Sequence, residues 1–254
     1  MKSYSKLAFF TLFLLFGVFN SIVFSQTAKE VIQKADDLVR GESSESEIVM
    51  TIVRPDWERS INMKTWALGT EYSLVLISKP VRDQGTTFLK RKNEIWNWIP
   101  SIGRSIKLPP SMMMQSWMGS DFTNDDLVKE SSILEDYEHS ILAEEMLNDQ
   151  KVWKIQLIPK PDAAVVWGKV ITYITQADFH QIKTEYFDED DFLVNTMLAS
   201  DVKTFDGRRI PSKMEMIPAD KPGQKTKFEY ISLKFNVKLK PSFFSTQNMK
   251  KIGE

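Results

Sequence analysis

The 254 residues carry 33 basic and 34 acidic side chains, a formal net charge of −1. That balance gives no support for a nucleic-acid partner, which leaves a basic footprint, or for general adsorption to anionic lipid. The chain has no cysteine, so disulfides, a thiolate nucleophile, a cysteine-bound metal and the acylated N-terminus of a lipoprotein are excluded.

Residues 1–25 read as an export signal. Lys2 and Lys6 form a positive start, Leu7 to Val23 is an apolar run, and Val23-Phe24-Ser25 offers a cleavage site that would leave Gln26 first. The rival is an uncleaved anchor, for which the run is short. Without Lys2 and Lys6, 31 basic residues face 34 acidic ones, a net of about −3. A soluble periplasmic protein is expected, with residues 26–254 as a single domain. Thr27 to Arg40 shows helical spacing of Val31, Ile32, Ala35, Leu38 and Val39. Thr27 and Glu30 form a capping box, and Gly41 ends the helix.

From Ser46 the period becomes two. Strands are expected at 46–53, 60–68, 72–77, 86–91, 94–99 and 104–108. Trp96 and Trp98 share one face of the fifth. Ser131 to Tyr137 is ambiguous. Alternation resumes at 139–146, 151–158, 165–175, 181–187, 192–204, 209–217 and 225–235, with turns at Asn148-Asp149, Asp188 to Asp191, Asp206-Gly207 and Pro222-Gly223. In the last strand the apolar set shifts from Phe228 and Tyr230 to Ile231, Leu233 and Phe235, which predicts a bulge. Pro241 to Lys250 ends as a short helix. Of these thirteen stretches about ten or eleven are expected to pair as antiparallel strands, too many for a flat open sheet.

Pro109 to Val128, PPSMMMQSWMGSDFTNDDLV, interrupts this pattern. It reads as a short Met-rich helical insert, with a second helix starting at Thr123. Adjacent Met112, Met113 and Met114 cannot share one helix face. Two readings stand: plain core packing, or a lid over an apolar concavity, for which methionine's flexibility suits varied apolar ligands. Trp117, Met118 and Phe122 join the lid, Trp96 and Trp98 are candidates for the concave wall, and Gly119 is a hinge. Asp121, Asp125 and Asp126 read as helix-capping residues.

Motifs for chemistry are lacking. No Ser sits in a G-x-S-x-G elbow, and there is no H-E-x-x-H, P-loop or dinucleotide fingerprint. His139 and His180 read as surface or hairpin residues. The run Asp188 to Asp191 lacks the ligand spacing of a calcium loop and reads as a solvated turn. No enzyme, metal or cofactor is expected.

The order of segments resembles the LolA-like family of outer-membrane lipoprotein-sorting proteins. The resemblance rests on Ser78-Lys79-Pro80, Gly85-Thr86-Thr87-Phe88-Leu89, the Trp-x-Trp-x-Pro of Trp96 to Pro100 with Arg104, and above all Met118 to Leu127. Trp153 to Lys160 and Arg209-Ile210-Pro211 fit the same pattern. It implies a mainly β fold, an unclosed half-barrel of antiparallel sheet with helices over its open side. It also implies a monomeric carrier for an acylated lipoprotein or another lipid, served by an inner-membrane transporter. Some relatives are tied to exporters of the resistance-nodulation-division type, so an exporter accessory is an alternative, as is a lipid hydrolase.

Overall fold

The computed structural model describes residues 26–254 except 93, 125, 127–131, 162 and 164. The expected leader therefore lies outside the described residues. Helix α1 (Ala28–Arg40) starts as expected: the Thr27 hydroxyl accepts from the Glu30 N–H, and Glu30 accepts in return from the Thr27 N–H at 2.9 Å. Those bonds hold the Glu30 carboxyl below its ordinary pKa. Ala28, Val31, Ile32 and Ala35 form its buried stripe.

Thirteen antiparallel strands make one unclosed sheet. The first six are β1 (Ser43–Arg54), β2 (Trp57–Leu68), β3 (Tyr72–Lys79), β4 (Thr87–Arg91), β5 (Glu94–Ile99) and β6 (Arg104–Lys107). Then come β7 (Tyr137–Leu147), β8 (Gln150–Pro159), β9 (Lys169–Thr175), β10 (Gln181–Phe187), β11 (Leu193–Phe205), β12 (Arg208–Pro218) and β13 (Lys225–Phe235). All thirteen alternating stretches pair, against ten or eleven expected; even the four residues of β6 form a full edge ladder with β5. Asn148-Asp149 and Asp206-Gly207 take consecutive positive φ values, the geometry of tight hairpins whose twist matches the strands. The bulge in β13 is present: Glu47 pairs with Ser232 and Ile48 with Tyr230, leaving Ile231 as the extra residue. The ambiguous stretch before β7 contains a 3-10 turn, Ser132–Leu134.

Strand order explains the rest of the architecture. Two meanders, β1 to β6 and β7 to β13, are joined through the β1–β13 ladder, which puts β6 and β7 at opposite edges. The chain between Lys107 and Tyr137 must travel from one edge to the other. Across a flat sheet that is twelve spacings, roughly 58 Å. Its described residues cover one face, with Trp117 packed among Met50, Ile52 and Ile61 and Leu134 among Ile155 and Leu157.

That face is the concave one. The stripe of α1 packs on Tyr137, Ile155, Leu157, Val170 and Ile174, while Leu38 near its end meets Ile210 and Phe235. A 13-residue helix is about 20 Å long, and β7 to β13 laid flat would measure roughly 29 Å. One helix reaches both ends because the sheet curls toward it. Arg208 closes the junction by donating to the carbonyls of Asp37 and Leu38. On the opposite, convex face, a 3-10 turn (Pro241–Phe243) and helix α2 (Thr246–Gly253) cover β3 to β5. Phe244 and Met249 are fully buried there against Leu74, Leu89 and Trp98.

Candidate functional site

Residues directly opposite in antiparallel ladders share a face. The register runs Ile155, Thr172, Thr184, Met197, Met216, Thr226, Ile52 across six ladders. Ile155 lies under α1, and Ile52 belongs to the cluster with Met50, Ile61, Met63, Ile77, Phe88 and Trp117. So α1 and the Met-rich insert cover two ends of one concave row. Met197 and Met214 lie between them, half-buried, and Phe228 packs under the insert.

The insert is not the helix its apolar content predicts. It consists of two 3-10 turns, Pro110–Met112 and Trp117–Gly119, and an antiparallel bridge between Ser116 and Thr123. Pro109 and Pro110 have no N–H to donate. Met118 and Gly119 both take positive φ, which reverses the chain after Trp117. Asn124 stitches the loop from inside, donating its side-chain amide to the Met112 carbonyl and its N–H to that of Gln115. The expected helix start at Thr123 is present as a reciprocal cap: Asp126 accepts from the Thr123 N–H and the Thr123 hydroxyl accepts from the Asp126 N–H.

Trp117 anchors the loop. It is 2% exposed and meets Phe88 edge-on, with ring centroids 5.4 Å apart. Phe122 meets Phe228 in the same way at 4.9 Å. Met118 packs beside Trp117, and Met113 sits on Ile95 and Leu108 farther toward the edge. Met112 is half-buried, while Met114 is 57% exposed.

Asp121 does not cap a helix. Its carboxylate accepts a fork of two bonds from Arg54, at 3.0 and 3.1 Å, and a third from the Thr226 hydroxyl at 2.6 Å. The Arg54 and Asp121 side chains are 13% and 5% exposed, so the pair is nearly desolvated and breaking it leaves a charge uncompensated. Arg54 also donates to the Gly119 carbonyl and Arg59 to that of Met118. Polar contacts from β1, β2 and β13 thus latch the loop around its Trp anchor. Asp125 lies outside the described residues, and Asp126 serves the Thr123 cap.

Trp96 and Trp98 do not join this group. The ladders put Phe88 opposite Val75, on the face of Trp117. Leu89 pairs with Trp96 and Thr87 with Trp98, on the other face. Trp98, 4% exposed, is packed under Phe244 and Met249, with Lys250 over its ring. The expectation of a concave wall is corrected: alternation pairs these two tryptophans, but the C-terminal segment claims their face. His139 and His180 accompany the hairpins as expected, but His180 is buried and bonds the Arg209 carbonyl. His139 contacts the Ile133 carbonyl, and burial holds its imidazole below the usual pKa. Asp188 closes its turn by accepting from the N–H groups of Asp190 and Phe192. Among the described residues no cluster of three His, Asp or Glu is arranged to hold a metal ion.

A family model described only as "-like: Uncharacterized protein" matches residues 69–251. The chain belongs to that family. Among solved structures it is similar to a DUF1329 family protein from Desulfovibrio piger, with TM-score 0.79 and 20% identity over 87% of this chain and 97% of that one. A domain from Vibrio parahaemolyticus, provisionally named for outer membrane lipoprotein sorting, aligns at 0.77 and 21% identity over 88% and 98%. A LolA superfamily protein from Nitrosomonas europaea aligns at 0.75 and 22% identity over 88% and 99%. The fold is therefore the LolA-like one the motifs suggested. No curated protein matches the sequence. No helix among the described residues is long and apolar enough to cross a membrane.

The residues that sequence reasoning missed are Arg54, Arg59, Thr226 and Phe228. Arg54 precedes Pro55-Asp56, a pair that suits a turn, and nothing local ties it to Asp121, 67 positions away. Thr226 carried one faint signal, as a small polar residue in phase with the apolar Phe228 and Tyr230.

Proposed function

We propose that this chain is an exported, monomeric carrier that shields the acyl chains of a lipoprotein or another lipid on its concave face. It would take cargo from an inner-membrane transporter, cross the periplasm and release the cargo toward the outer membrane, its leader cleaved near Ser25. The observation that carries this reading is the continuous concave row between α1 and the Trp117 loop. The loop is held there by a few polar bonds around one aromatic anchor. Hiding acyl chains needs no reaction: each exposed methylene costs roughly 0.8 kcal/mol, so ten cost about 8. Trp117, Phe122, Met113 and Met118 occupy the row in the closed state and leave it when the Gly119 turn opens. Met112 and Met114 extend the same apolar lining. Trp96 and Trp98 take no part.

The test is native mass spectrometry of the purified protein for bound lipid, followed by titration with an acylated peptide. Binding of either supports the carrier. A Met113→Asp, Trp117→Asp variant that remains folded is expected to lose it. A protein that takes up neither ligand is not a carrier, and the exporter-accessory role then becomes the better reading.

A further inference from the structure

The near-zero net charge averages over an uneven distribution. Lys234, Lys238, Lys240, Lys250 and Lys251 lie between Leu233 and Gly253 with no acidic residue among them; Glu254 follows and pairs with Lys250. Lys238, Lys240 and Lys251 line a cleft of about 500 Å³ whose apolar surface comes from Leu239 and Phe243. All three lysines are exposed. Among the described residues none of them has an ion-pair partner, whereas Lys107, Lys169, Lys183, Lys203, Lys213 and Lys225 each have at least one. A second cleft of about 410 Å³ shares Gln247 with the first and adds Arg91 and Trp96. Its acidic residue, Glu94, is paired with Lys107.

Three uncompensated ammonium groups around one opening repel each other and favour an anion between them. Lysine meets phosphate as a point charge. Ser242 and Ser245 add hydroxyl donors at the rim, and Phe243, half-buried against Trp66, adds apolar area beside the charges. Charge next to grease suits an amphiphile with a phosphate head better than a free acidic peptide. The cleft adjoins α2 on the convex face, across the sheet from Trp117. We infer that this C-terminal cleft takes the phosphate-bearing headgroup of an anionic phospholipid and seats the protein on a membrane surface. The inference is independent of the carrier reading. If that reading holds, the concave face stays free while the protein is seated.

Sedimentation with vesicles of phosphatidylcholine, with and without phosphatidylglycerol, tests this. The expected result is binding only to the mixed vesicles, weakened by salt. It should fall about a hundredfold in Lys238→Gln, Lys240→Gln, Lys251→Gln, following the contribution of each lysine near an anionic surface. Lys203→Gln, Lys213→Gln serves as the charge control and is expected to bind like the unaltered protein. Equal loss in that control would assign the effect to overall charge and overturn the inference, as would equal binding to both vesicles or none to either. Displacement by inorganic phosphate beyond that by sodium chloride of matched ionic strength would make the cleft a free-phosphate site. Capture of an acidic protein with no vesicle binding would likewise overturn the lipid assignment. Acylated-peptide binding by the triple variant is expected to be unchanged, which separates this result from the test of the carrier.

Discussion

Two segments cover opposite faces of the strands β3 to β5, and they are held by different forces. On the convex face the C-terminal cover is apolar and closely packed. Phe244 and Met249 are fully buried, Thr87 donates to the Met249 carbonyl, and a Cβ added at Gly253 would come within 2.4 Å of the Gly85 carbonyl oxygen. On the concave face the Met-rich cover has one buried anchor, Trp117, and a polar latch to Arg54, Arg59 and Thr226. In the carrier proposal, close apolar packing keeps the C-terminal cover in place, and the latch of charge-assisted bonds at the Gly119 turn is what opens. One cover belongs to the fold, and the other is the part that the carrier proposal sets in motion.

The largest effect should come from the C-terminal cover. Phe244→Ala is expected to cost about 3–5 kcal/mol in urea unfolding, from lost transfer energy and the cavity left behind. The acyl affinity of the folded fraction should not change. A parallel loss of affinity would mean that the two covers act as one unit. Asp121→Asn should have a smaller effect, about 2 kcal/mol of stability, because it removes the charged acceptor of a nearly desolvated pair. Weakening the closed state releases the concave row, so acylated-peptide affinity should rise by about tenfold, measured by fluorescence titration. A fall in affinity would show instead that the latch clamps cargo in place. Met114→Ser should be the mildest, within about 0.5 kcal/mol in thermal unfolding, because the side chain is already in water. The same change should lower acyl affinity, since exposed apolar surface is what a lid can give to its cargo. Unchanged affinity would move the contact to Met113 and Met118.

Much of the fold is legible in local pattern. The Thr27–Glu30 box, the hairpins at Asn148-Asp149 and Asp206-Gly207, and the bulge at Ile231 are each set by neighbouring residues. The site is legible only in part. Its anchors stand out as a Met- and Trp-rich run among strands, yet the same run misleads as to helix. Its prolines and the positive φ at Met118 and Gly119 break the run into short turns instead. Trp96 and Trp98 show the other limit. A period of two says that they share a face, not which way the sheet curls or what covers it.

The sequence by itself determined the alternation, the turns, the helix caps and the absence of catalytic motifs, because each depends on residues a few positions apart. Only the tertiary structure decided which face is concave and that Asp121 closes on Arg54. The chain that leaves β6 at one edge must re-enter at β7 on the other, and that crossing brings together side chains that no local pattern links.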